Sequence, residues 1–189
     1  MRPTESLKIA VLAPAWFAVP PVGYGGIEWI VWLLADGLAD AGHDVTLFAS
    51  GDSRTKAKLA AVFPEAPSKQ IGRTFWELKH ALSCFARADE FDVINDHTGM
   101  LGMTLGATTS TPVVHTVHGP LNGEPGEIYE LISRVAPEVG LISISALTLN
   151  MATARAIRFS PDWATLAEAR LVRAEEPATG PSWSLARSA

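Results

Sequence analysis

The sequence predicts an α/β domain: a doubly wound, mostly parallel sheet with helices on both faces. Three observations predict it. Residues 8–13 form a run that is apolar throughout after Lys8 and is stopped by Pro14, the pattern of a parallel strand buried on both sides. Ile27, Ile30, Val31, Leu34 and Leu38 then recur at helical spacing, and Gly42 supplies the end signal. A second apolar run, residues 45–49, follows at once. The opening thus reads strand, helix, strand, the unit from which such sheets are wound.

The remaining elements continue the alternation. Residues 14–25 are a long connection holding Trp16, Phe17 and Val19, read as packing groups or as a lid over an acceptor site. Residues 56–63 suggest a short edge strand, and Pro64 and Pro67 mark a loop. A helix is expected over 74–88, a strand over 91–95, a short helix over 100–106 and a strand over 112–117. Helical periodicity returns at 127–135, and residues 141–144 read as a last strand. Residues 1–150 therefore form one Rossmann-like domain. Residues 151–189, rich in alanine and arginine, are expected to be a tail with one helix over 162–176 capped by Asp162.

Composition narrows the function. Apolar residues make up 48% of the 189-residue chain, enough for one sizeable core. A net charge of −5 argues against nucleic acid or an anionic membrane as partner. The one cysteine, Cys84, can build neither a disulfide framework nor a thiolate metal site, which fits a cytoplasmic protein. The apolar run near the N-terminus is too short for a signal peptide, and no run reaches the ~18 residues of a membrane span.

In a parallel sheet every strand delivers its C-terminal end to one rim, where ligands bind. Four segments fall there: the glycine loop Gly23-Tyr24-Gly25-Gly26, Ser50-Gly51-Asp52, Asp96-His97 and His118-Gly119. Gly25 and Gly26 allow close backbone approach before a helix whose first N–H groups favour an anion, a phosphate above all. Glu28 in that first turn complements the helix dipole, binds a sugar hydroxyl or holds the loop. His118, closing its strand before Gly119, is placed to bond a hydroxyl or phosphate or to shuttle a proton. His97 is a second candidate, with Asp96 orienting its ring or capping the next helix. His115 reads as a structural histidine on the opposite face, and His43 and His80 as ordinary helix-end and helix-face residues.

Other chemistries fit less well. Asp92 and Asp96 lack the further ligands of a metal site, so neither a metal nor a cofactor is expected. There is no Gly-x-Ser-x-Gly elbow. Gly23-Tyr24-Gly25 resembles the start of a dinucleotide fingerprint with Asp52 as the ribose ligand, but Glu28 occupies the third glycine position and the preceding loop is too long.

The blocks Lys8-Ile9-Ala10-Val11-Leu12-Ala13-Pro14, Gly25-Gly26-Ile27-Glu28 and Leu38-Ala39-Asp40-Ala41-Gly42-His43-Asp44-Val45-Thr46-Leu47 resemble the opening of the family four glycosyltransferases. Phe91-Asp92-Val93-Ile94-Asn95-Asp96-His97 and Pro112-Val113-Val114-His115-Thr116-Val117-His118-Gly119 are similar to later blocks of that family, in the same order. The resemblance runs through about residue 149. It implies one half of a GT-B fold, in which two Rossmann-like domains face each other across a cleft. This half would hold an acceptor of unknown identity and the other most of a nucleotide-sugar donor, with transfer retaining configuration and needing no catalytic metal. By the same resemblance Gly25 and Gly26 would approach the donor diphosphate, His118 would stand near the reacting sugar, and His97 would belong to the acceptor region; Glu28 and Gly119 are further candidates for binding the acceptor or substrate.

Nothing in residues 151–189 resembles a donor domain with its paired glutamates. The chain is therefore expected to be truncated after about residue 150 and inactive alone. A shifted reading frame and a natural half-protein both account for this. Its cleft face, with Trp16 and Phe17, is expected to self-associate. The alternative is a non-catalytic module that binds phosphate or sugar and completes a site with a partner chain.

Overall fold

A computed structural model describes residues 6–144. It contains strands β1 (Lys8–Leu12), β2 (Asp44–Phe48), β3 (Lys58–Ala60), β4 (Val93–Asp96), β5 (Val113–Val117) and β6 (Gly140–Ser143). Between them lie helices α1 (Gly26–Asp40), α2 (Thr74–Phe85), α3 (Met100–Leu105) and α4 (Gly123–Val135). The six strands form one sheet in the order β3-β2-β1-β4-β5-β6, and every pairing is parallel. The predicted doubly wound sheet is therefore the observed one. The expected helix at 162–176 lies outside the described residues.

Strand alternation divides the core into two layers. Ile9, Val11, Val45 and Leu47 face α1, which covers them with Val31 and Ala35. Ala10, Leu12, Phe48, Ile94, Val113, Val117 and Leu141 face the other way, against Ala81, Cys84 and Phe85 of α2, Met103 of α3 and Tyr129 and Ile132 of α4. Helices thus lie on both faces. Among the described residues, no helix is long and apolar enough to cross a membrane.

The end of α1 shows how local sequence stops an element. Gly42 takes φ 94°. Its N–H donates to the Ala39 carbonyl, and the His43 N–H to that of Leu38, which satisfies the last carbonyls of the helix. The inner face of α1 keeps part of the expected stripe: Val31 is buried and Ile27 and Leu38 pack against the same core, joined by Glu28 and Ala35, whereas Ile30 is exposed along with Trp29 and Leu33. Apolar residues surround this helix, so periodicity alone does not choose its inner face.

The helix α4 begins at Gly123, before the expected residue 127. Its first turn carries Glu124 and Pro125, which suit a helix N-terminus but add nothing to an apolar pattern. Strand β3 is the short edge strand expected there, reduced to three residues.

Candidate functional site

Strand order reverses between β1 and β4, because β2 follows β1 on one side and β4 joins it on the other. The crevice beyond the C-terminal ends of these two strands is where such a sheet binds ligands. The loop after β1 and the His97 segment after β4 meet there directly, since the His97 N–H donates to the Leu12 carbonyl at 2.9 Å.

The loop of residues 14–25 is fastened to the end of β2. The Ser53 hydroxyl accepts the Val19 N–H at 2.9 Å, and the Val19 carbonyl accepts the Arg54 N–H at 2.6 Å. Val19 and Ala15 are buried. Trp16 and Phe17, expected on an exposed cleft face, are only partly exposed. The exposed apolar groups are instead Val22 and Tyr24 in the loop and Trp29, Ile30 and Leu33 on α1. Asp52 is turned to the protein, accepting the Ala66 N–H at 3.2 Å. The loop and β2-end segments are thus joined, with the second acting as an anchor for the first.

The two central glycines differ. Gly25 is buried with φ 146°, and a Cβ there would fall 2.6 Å from Cγ of Pro21 and 2.9 Å from Oε2 of Glu28. Its missing side chain is needed for the loop to pack on itself. Gly26 is exposed, and a Cβ there would meet nothing within 4 Å. Glu28 is buried beneath this loop. Burial pushes its carboxyl above the usual range, partly offset by a bond to its own backbone N–H. The open ground at this helix N-terminus therefore lies at Gly26.

Beyond β4 and β5 the side chains separate into two networks by alternation. On one face Asp96 Oδ2 meets His115 Nδ1 at 2.6 Å, and His115 Nε2 meets the Tyr129 hydroxyl at 3.1 Å. Asp96 Oδ1 also accepts the Thr98 N–H and hydroxyl, at 2.9 and 2.7 Å. Desolvation alone would raise the Asp96 carboxyl, but the His115 ring and the Thr98 donors hold it below its ordinary value. Of the two roles expected for Asp96, it takes neither with His97: it closes the turn at Thr98 and holds His115, the structural histidine.

On the other face His97 Nδ1 lies 2.9 Å from His118 Nε2, while His97 Nε2 bonds Asn95 Oδ1. The ring centroids of His97 and His118 lie 5.2 Å apart. His97 is 1% exposed, so it stands behind His118 rather than on open surface. His118 is partly exposed and Gly119 is exposed. Burial lowers both histidines, to about 3 for His97 and about 4 for His118, and each ring is lowered further by a neighbouring one. Both are neutral at neutral pH. A neutral imidazole at the rim, backed by a buried partner, can accept or relay a proton.

Three participants were not singled out from the sequence as such. His80, read as a helix-face residue, is 1% exposed, and its Nε2 lies 3.0 Å from the Ala13 carbonyl at the end of β1. Burial lowers its pKa. Its spacing with Ala81 and Cys84 was the available signal, since all three share the inward stripe of α2. Glu77, one turn earlier, accepts the Gly99 N–H at 3.2 Å and is raised by burial. Asn95 is wholly buried, and its Nδ2 has no partner among the described residues. Among those residues no cluster of three or more His, Cys, Asp or Glu could hold a metal ion.

Comparison with known proteins adds one match. Residues 24–155 fit the family model described as Glycosyltransferase Family 4, a span that takes in Gly25 and Gly26, both histidine networks, all four helices and every strand but β1. No curated protein matches the chain.

Proposed function

Because the chain belongs to Glycosyltransferase Family 4, we propose that its domain is the acceptor-side half of a retaining GT-B enzyme that draws on a nucleotide-sugar donor. In such a transfer the bond from the sugar's anomeric carbon to the donor diphosphate breaks. A bond to an acceptor hydroxyl forms, and that hydroxyl's proton is given up. His118 is the group we assign to the reacting end of the acceptor, with Gly119 lining the approach. Gly26 is the position where donor phosphate meets backbone, and Gly25 shapes the loop that presents it. Glu28 holds that loop from below.

The observation that carries this reading is the half-open His118 ring at the rim, neutral and backed by a buried His97. Charge stabilisation around the departing diphosphate must come largely from elsewhere, because the described residues bring no cationic side chain into either histidine network. A second domain is the natural source. A cytoplasmic setting belongs to the same reading, since nucleotide sugars are its substrates and the lone cysteine, Cys84, is buried and unpaired.

Donor binding tests the proposal. Nucleotide sugars titrated against the enzyme that contains this domain should bind, and Gly26→Val should abolish or sharply weaken that binding by filling the open space. Undiminished binding by Gly26→Val would remove the loop from the donor site.

A further inference from the structure

We propose that Asn95 and His97 form a buried positioning relay that holds His118 in a single tautomer, with the Nε2 hydrogen turned inward and Nδ1 kept as an acceptor for a neutral substrate hydroxyl. This deepens the role given to His118 above and rests on it.

The relay follows from placement. Asn95 and His97 are two residues apart, so they share one face at the end of β4, while Asp96 between them turns to His115 on the other. Asn95 Oδ1 can only accept, so the His97 Nε2 that it meets must carry a hydrogen. A neutral imidazole has one ring hydrogen. His97 Nδ1 is then bare and takes a hydrogen from His118 Nε2, 2.9 Å away. His118 is neutral in its turn, so its own Nδ1 is bare, and it has no hydrogen-bond partner among the described residues.

Burial makes this direction costly to reverse. Asn95 is 0% and His97 1% exposed, so neither exchanges its partner for water without opening the fold. Both rings are neutral in the free protein at neutral pH, because burial disfavours the charged form. Two carboxylates near the relay are engaged elsewhere: Asp96 by His115 and Thr98, and Glu77 by Gly99.

The arrangement selects a chemistry. A bare nitrogen on a neutral ring attracts an O–H donor and repels a phosphoryl oxygen. His118 therefore faces an acceptor hydroxyl, whose proton it can take, and leaves the donor diphosphate to other groups. Asn95 and His97 touch no substrate. They act through His118.

The test needs no substrate. Nitrogen–proton correlation spectra of the histidine rings, recorded on the whole chain at neutral pH, should show both His97 and His118 with hydrogen on Nε2. Asn95→Leu removes the acceptor at a similar volume, and should give His118 a measurable fraction of the Nδ1–H form. Hydrogen on Nδ1 of His118 in the wild-type protein would overturn the proposal, because it requires the Asn95 amide to be turned over and the whole relay reversed. An unchanged His118 spectrum in Asn95→Leu would overturn it too. Should that variant not fold, the wild-type spectrum decides alone. The Nε2–H form together with undiminished sugar transfer by His118→Ala would sustain the relay and sink the transferase role, so the two failures are distinguishable.

Discussion

The Asp96 carboxylate lies 2.6 Å from Nδ1 of His115, with neither side chain exposed. At the next residue, just past the end of β4, His97 pairs with His118 on the opposite face of the sheet. Two adjacent residues thus support two histidines of β5 and its end, one locked in the core against Tyr129 and one left partly open at the rim. The first pair anchors the strands that present the second.

Removing one member of a buried pair leaves the other uncompensated. Asp96→Ala should destabilise the domain by roughly 3–5 kcal/mol, read as a lower urea midpoint. The folded carboxyl is held below its ordinary 3.8, so its contribution is complete above that pH and is lost as pH falls through the lower folded value. Wild-type and variant stabilities should therefore converge in strong acid. A difference of a few tenths of a kcal/mol would show that the pair does not anchor β4 to β5.

The second pair gives a different acid signature. His97 and His118 titrate near 3 and 4 in the folded protein against an ordinary 6.5, so unfolded rings take up protons first as pH falls. Their contribution is complete above pH 6.5 and declines below it, until the folded rings titrate as well. His118→Gln should flatten the decline between pH 6.5 and about 4 in urea-unfolding series. An unchanged slope would mean that the ring is not held neutral by its surroundings.

The two glycines of the loop should separate stability from ligand contact. Gly25→Ala places a methyl against Pro21 in a positive-φ conformation, and should cost roughly 1–3 kcal/mol by thermal or urea melting. Gly26→Ala meets open space and should stay within about 0.5 kcal/mol of wild type. Equal losses from both would place Gly26 in the loop's own packing.

Much of the fold was legible in residue order. Continuous apolar runs and the Gly42 stop signal specify β1, α1 and β2, and the parallel topology then brings the strand ends to one rim. The inner face of α1 was only partly legible: Ile27, Val31 and Leu38 do face the core, but Trp29, Ile30 and Leu33 are equally apolar and are exposed. The early start of α4 was hidden by polar residues that favour a helix only through its dipole and proline geometry. At the site, strand-end position marked His97 and His118. Their contact depends on register and rotamer, which no spacing encodes. Asp96 against His115 is likewise a register pair, visible once β4 is aligned with β5. His80 was missed because a buried histidine resembles an exposed one until its neighbours on the helix stripe are known to point inward.

The most direct measurement is sugar transfer by the enzyme containing this domain, wild type against His118→Ala, with the folded state of both verified by melting. Loss of a positioned proton acceptor should lower turnover by roughly 10²–10⁴-fold while the melting temperature changes little. Turnover equal to wild type would contradict the account, leaving His118 a rim residue beside a site whose chemistry is done by other groups.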